Sequence, residues 1–128
     1  MSEPHRIRLR GPWEVTGLAP VLPPKRMTIP CSWREGGWPG FIGQARHVRL
    51  FGLPRLRQPE ERVLLNIDQV TGEGQVQLNG QALGAVAVAF RHDVTELLQS
   101  RNRLEIVVTS DSDAGGVTGE VSIEIVSA

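Results

Sequence analysis

Gln75-Val76-Gln77-Leu78-Asn79-Gly80-Gln81-Ala82-Leu83-Gly84, followed by Phe90-Arg91-His92-Asp93-Val94-Thr95, decides how the chain is read. Val76 and Leu78 alternate with Gln75 and Gln77, which is the period of a half-buried strand. Asn79-Gly80 closes that strand. Asn-Gly between two apolar runs is the strongest short hairpin signal, because both central positions of the tight turn require positive φ. The partner strand is expected over Ala82–Phe90, with Val86, Val88 and Phe90 alternating with alanines and Val86 and Val88 facing the core. Asp93–Gln99 is the one stretch that suits a helix, of one or two turns, capped by Asp93 or Thr95.

Further strands lie on either side. Val63, Leu65 and Ile67 share one face of Arg62–Val70, with Asn66 and Asp68 opposite and Leu64 breaking the pattern. Leu104, Ile106 and Val108 mark another strand, and Val121, Ile123 and Ile125, interleaved with Ser122 and Glu124, mark the last. Toward the N-terminus, Ile7 and Leu9 alternate with Arg6, Arg8 and Arg10 as in an edge or surface strand. Gly11-Pro12 then turns the chain into Trp13-Glu14-Val15, with Trp13 in the core. Val48, Leu50 and Phe51 suggest a strand from about Ala45 to Leu53. Between these, Leu18–Pro30 carries four prolines and reads as extended loop, and Cys31–Gly43, with four glycines and two tryptophans, reads as loop too. Seven to nine short strands, about eight, with one helical turn imply an all-β antiparallel sandwich, and the length gives a single domain over residues 1–128.

Composition removes several function classes. The 14 Lys+Arg are matched by 14 Asp+Glu, which argues against nucleic-acid binding driven by net charge. A single cysteine, Cys31, excludes an internal disulfide and a multi-cysteine zinc site. No apolar run approaches the ~18 residues that span a bilayer, so no membrane partner is expected. Met1–Arg6 has no apolar signal core, and the chain reads as soluble and cytoplasmic.

Seven fragments in order carry a resemblance. They are Leu9–Val15; Ile29-Pro30-Cys31-Ser32-Trp33; Phe41-Ile42-Gly43 with Val48–Pro54; Glu61–Leu65; Val76–Gly84; Phe90–Thr95; and Asn102–Val108. Together they resemble the N-terminal sugar-binding domain of the family-two glycoside hydrolases, the β-galactosidases and β-glucuronidases, from about Ile7 to Val126. The resemblance implies a galactose-binding-like jelly-roll. It departs from the family at Arg46 and His47, where an aromatic pair is usual, and at Ser110–Gly116, a segment often long and aromatic. The catalytic barrel, typically ~250 residues, cannot fit in the chain. The resemblance therefore implies the fold and sugar affinity but no hydrolysis.

Retaining glycoside hydrolysis needs two carboxylates about 5 Å apart, and no arrangement singles out a pair among ten glutamates and four aspartates. No catalytic residue is nominated, no enzyme activity is expected, and no cofactor is implied. Cys31 has no His in its segment and reads as a small residue in a tight loop. His47 reads as a surface or packing residue and His92 as hydrogen-bonded in a turn. Domains of the galactose-binding type often carry a loop calcium ion. Asp111, Ser112 and Asp113 offer some of the oxygens such an ion needs, although the loop is short.

Carbohydrate binding is the leading reading. Sugars stack their apolar face on aromatic rings and direct their hydroxyls at planar polar groups. Trp33, Arg34, Glu35 and Trp38 combine both kinds of group and are the candidate ligand-binding residues. Trp33 matches a recurrent structural position of the family, which favours a plug in the sandwich, whereas Trp38 is open to either role. Three readings compete: a freestanding non-catalytic carbohydrate-binding domain, a protein–protein or self-association module, and an accessory subunit or fragment of a separately encoded glycosidase.

Overall fold

The computed structural model describes residues 5–127. Ten strands follow one another along them: β1 (His5–Arg8), β2 (Trp13–Ala19), β3 (Val21–Met27), β4 (Gly43–Gly52), β5 (Glu61–Ile67), β6 (Glu73–Leu78), β7 (Gln81–Val86), β8 (Phe90–Asp93), β9 (Arg101–Ser110) and β10 (Val121–Ser127). Every pairing is antiparallel. One sheet has the order β1-β10-β5-β8, the other β3-β2-β4-β9-β6-β7. The two face each other as an all-β jelly-roll sandwich. Part of the Met1–Arg6 segment read above, residues 1–4, lies outside the described residues. Among the described residues, no helix is long and apolar enough to cross a membrane.

Alternation sets the core. Val63, Leu65 and Ile67 of β5 and Val121, Ile123 and Ile125 of β10 meet Val76, Leu78, Leu104, Ile106 and Val108 of the larger sheet, all buried. Gln75 and Gln77 are exposed, as the register demands. Asn79 and Gly80 have φ of 54° and 84°, the positive pair the hairpin turn requires. Asn102, 1 % exposed, clamps that end of the sandwich. Its amide donates to Gln99 O at 3.0 Å and Phe51 O at 3.3 Å, while its oxygen accepts from Gln99 N–H and from Asn79. A buried amide with all its capacity engaged specifies geometry at little cost in unmet polarity.

Four local expectations need correcting. There are ten strands rather than about eight. The proline-rich Val21–Met27 forms β3, because its only partner is β2 and the register slips there: Lys25 pairs with Val15 and Leu22 with Gly17. Pro23 and Pro24 fall in that bulge, where no regular ladder bond is required of them. The expected strand Ala82–Phe90 is two strands, since the chain leaves the larger sheet after Val86 and Phe90 begins β8 in the other. Val88 sits in the crossing and is 75 % exposed. In β4 the inward set is Ala45 and His47, so Leu50 lies outward and is 63 % exposed. The helical stretch is one turn, as expected, the 3-10 turn Thr95–Leu97, whereas His92 lies in β8 rather than in the turn and stacks on Phe90, centroids 5.8 Å apart.

The outer face of the smaller sheet is also more covered than alternation suggests. Ser122 and Glu124 are buried. Glu124 accepts from Asn66 Nδ2 at 3.1 Å, and Arg6 and Arg91 from the flanking strands approach it at 3.7 and 3.5 Å. Long arginine stems lie over the central strand while their charged heads meet its carboxylate.

Candidate functional site

β2, β4 and β9 bring the segment 28–42 to the rim where β4 begins. β3 ends beside Trp13, at the far end of the sandwich, so the chain must return along its flank before it can enter β4. Backbone bonds hold this return path: Ile29 N–H to Arg10 O (2.7 Å), Cys31 N–H to Val117 O (3.1 Å), Trp33 N–H to Gly115 O (2.8 Å) and Arg34 N–H to Asp113 O (3.0 Å). The irregular segment is thus laced to residues 113–117. Gly116 permits the approach: its φ is +130°, and a Cβ there would lie 3.3 Å from the Trp33 ring.

Trp33 is fully buried and plugs the rim. Phe41 meets it edge-on, with centroids 4.8 Å apart and planes at 90°. Its indole N–H donates to His47 Nε2 at 3.3 Å, and His47 Nδ1 lies 3.1 Å from Ile106 O. A carbonyl only accepts and an indole N–H only donates, so His47 carries its proton on Nδ1 and is neutral. Burial pushes its pKa down to about 4. His47 is therefore a packing residue, as one of its two expected roles had it.

Trp38 is half-buried above this plug, tilted at 42° against Phe41 with centroids 4.9 Å apart. Arg34 binds Asp113 bidentately, Nε to Oδ2 at 3.0 Å and Nη2 to Oδ1 at 2.9 Å, and Gly40 N–H adds a bond to Oδ2 at 2.7 Å. These hydrogen bonds hold Asp113 below the usual carboxylate range. Glu35 takes Ser32 N–H at 3.0 Å while Ser32 Oγ takes Glu35 N–H at 3.1 Å, a reciprocal pair that fixes the turn between them and lowers the Glu35 pKa. Of the four candidates on this segment, Arg34 and Glu35 are exposed, Trp38 is half-buried and Trp33 lies in the core.

Of the two calcium candidates, Asp111 is exposed and Asp113 is engaged by Arg34 and Gly40. Among the described residues, no three of His, Cys, Asp and Glu gather in the manner of a metal site. Burial, with Glu35 nearby, raises the Cys31 thiol pKa, which disfavours the reactive thiolate. The carboxylates Asp93 and Glu96 converge on Arg62, whose guanidinium lies 2.9 Å from Asp93 Oδ2 and 2.6 Å from Glu96 Oε2. Their hydrogen bonds to Arg62 hold both carboxyls low, Asp93 at about 2, so neither keeps the proton that a general acid donates near neutral pH. Asp93 Oδ1 also accepts Thr95 N–H at 3.0 Å and its hydroxyl at 2.6 Å, closing β8 into the 3-10 turn.

Two residues escaped the sequence reading. Phe41 links the two tryptophans of the rim and was read only as part of a motif. Arg49 lies on the inward-facing parity of β4 with Ala45 and His47, and an arginine at such a position near a strand end is a signal that the strand pattern carries.

No family model and no curated protein matches the chain. Solved structures do. A Bifidobacterium dentium β-glucuronidase complexed with coumarin-3-O-glucuronide superposes with a TM-score of 0.81 at 20 % identity, over 100 % of this chain and 31 % of that one. A β-D-glucuronidase of Dictyoglomus thermophilum gives 0.82 at 15 %, over 99 % and 29 %. A Ruminococcus gnavus β-glucuronidase in complex with an N1-substituted uronic isofagomine gives 0.81 at 12 %, over 96 % and 30 %. The chain spans under a third of the length of each of these proteins. The fold is the galactose-binding-like jelly-roll that the sequence fragments pointed to.

Proposed function

We propose that the chain acts as a single non-catalytic domain, residues 1–128, that binds carbohydrate through the rim formed by Cys31–Gly43. The observation that carries this is Trp38, a half-buried indole backed by Phe41 on the same short segment as the exposed Arg34 and Glu35. Arg34 is fixed by Asp113, and Glu35 by Ser32, so both present oriented polar groups on the segment that carries the indole. That pairing of ring and planar hydrogen-bonding groups suits a sugar, and its pre-organisation lowers the entropy lost on binding. Fold alone does not assign function. The similarity to sugar-hydrolysing enzymes makes galactosides and glucuronides the first ligands to try.

The test is a glycan array read beside tryptophan fluorescence. Trp13 and Trp33 are fully buried, so a change in emission on ligand addition reports Trp38. Trp38→Ala is expected to lower affinity at least tenfold with a modest loss of stability, whereas Trp13→Ala removes about 3–5 kcal/mol of stability as a core truncation. Should Trp38→Ala unfold the domain as Trp13→Ala does, the rim is only a lid on the core.

A second reading has its own support. Leu50, Leu53 and Leu56 are exposed at 63 %, 57 % and 38 %, and the chain spans only part of the enzymes it resembles. An assembly module, or an accessory subunit packed on a separately encoded barrel, would use such a surface. Silence on the array together with co-purification of a barrel protein would favour it.

A further inference from the structure

At the far end of β4 from Trp38, a groove of about 580 Å3 opens between β1 and the segment that follows Phe51. Its volume lies within the roughly 300–1,000 Å3 of small-molecule sites. The ten residues of β4, at about 3.3 Å each, separate it from the tryptophan rim by roughly 30 Å. The lining is mostly apolar, with Leu9, Phe51, Leu53 and Ile123 among it, yet it holds three arginines and no acidic residue.

The three arginines differ in what they already have. Arg8 has its Nε 2.6 Å from Glu120 Oε1, so its charge is offset. Arg55 has no carboxylate partner among the described residues. Arg49 donates from Nη1 to the carbonyl of Leu50, and its Nε is buried with no acceptor. A buried N–H without an acceptor is unfavourable until something supplies one. Two uncompensated guanidinium groups beside an apolar wall define the complement: a negatively charged, forked head on an apolar body.

We propose that this groove is a second binding site, for an amphipathic organic anion bearing a single carboxylate. Arg49 and Arg55 take the head together, the exposed Arg55 through the two parallel bonds of its planar guanidinium fork and Arg49 as a second, single contact. Phe51, Leu53 and Ile123 take the apolar body. The site shares no residue with the tryptophan rim and stands whether or not that rim binds sugar. A sulfonate carries the same charge on a tetrahedral head and serves to distinguish shape from charge.

Titration of the full chain with 2-naphthoate, followed by amide NMR, tests this. Shifts are expected at Ile7–Leu9 and Arg49–Arg55. The neutral isostere 2-naphthamide should bind at least tenfold more weakly, and naphthalene-2-sulfonate more weakly than the carboxylate. Arg49→Gln should reduce naphthoate affinity at least tenfold. Arg55→Gln, at an exposed loop position, should reduce it several-fold and narrow the preference for acid over amide. It keeps the test decisive if Arg49→Gln fails to fold. Equal binding of acid and amide, an unchanged Arg55→Gln, tighter sulfonate binding, absence of binding, or shifts confined to the tryptophan rim would each overturn the proposal.

Discussion

Where β4 begins, Arg34 is locked onto Asp113, and the same carboxylate takes the Gly40 N–H. Where β4 ends, Arg49 keeps a buried Nε without an acceptor. Both ends pair aromatic or aliphatic surface with arginine, yet the first supplies its arginine with a carboxylate and the second, among the described residues, supplies Arg49 with none. Internal pairing fixes the position of whatever the rim displays, here Trp38, and removes Asp113 from competition for ligands. An arginine without a carboxylate, such as the exposed Arg55, keeps its charge available to a partner from outside. A neighbouring carboxylate thus holds the arginine of the rim in place, while Arg49 and Arg55 have no carboxylate partner among the described residues.

The contrast breaks most readily at Trp33, on which the closed end rests. Trp33→Ala deletes a fully buried indole and leaves His47 Nε2 without its donor. A loss of about 3–5 kcal/mol in urea unfolding is expected. A loss below about 1 kcal/mol would mean that the rim is not anchored through its plug. The next effect is the pH dependence of the same hydrogen bond. The His47 pKa in the folded chain, about 4, lies below its ordinary 6.5. The unfolded chain therefore binds the extra proton first, and stability is full above pH 6.5 and falls as pH drops toward 4. The loss amounts to about 3 kcal/mol. Asp93, Glu96 and Asp113, whose pKa values are lowered from ordinary values of 3.8, 4.5 and 3.8, lose their contributions only at still lower pH. Unfolding free energies between pH 7 and 4.5 therefore report His47, and a flat profile there would show that the imidazole is not held neutral. The smallest effect belongs to the open end. Nothing lies within 4 Å of a Cβ built on Gly80, so Gly80→Val carries only the conformational penalty of its φ of +84°, about 1 kcal/mol. Gly80→Asn, which tolerates that region, should be nearly neutral in the same assay, and equal losses for Val and Asn would point to packing rather than φ.

The hairpin was legible because its information is local. Asn79-Gly80 states its own turn, and Val76 and Leu78 state their face. Legibility failed where one pattern serves two strands. Val86, Val88 and Phe90 alternate without a break, yet the chain changes sheets between the first and the last. It failed again at β4, where Val48 and Leu50 drew attention to the outward face while Ala45 and His47 were the buried pair. The candidate rim was legible as a composition of tryptophan, arginine and glutamate in one loop. Its decisive contact was not, because Arg34 meets Asp113 across 79 residues and no local signal joins them.

One feature of β3 reaches beyond the single molecule. The strand forms one margin of the six-stranded sheet, and Pro23 and Pro24 leave two successive positions there without an N–H. Lys25 and Arg26 follow at once, both exposed. A second chain laid alongside would find neither a ladder to complete nor a neutral surface to approach. This sheet is thereby protected from lateral growth on that side, which leaves β7, at its opposite margin, as the edge of this sheet open to a further strand.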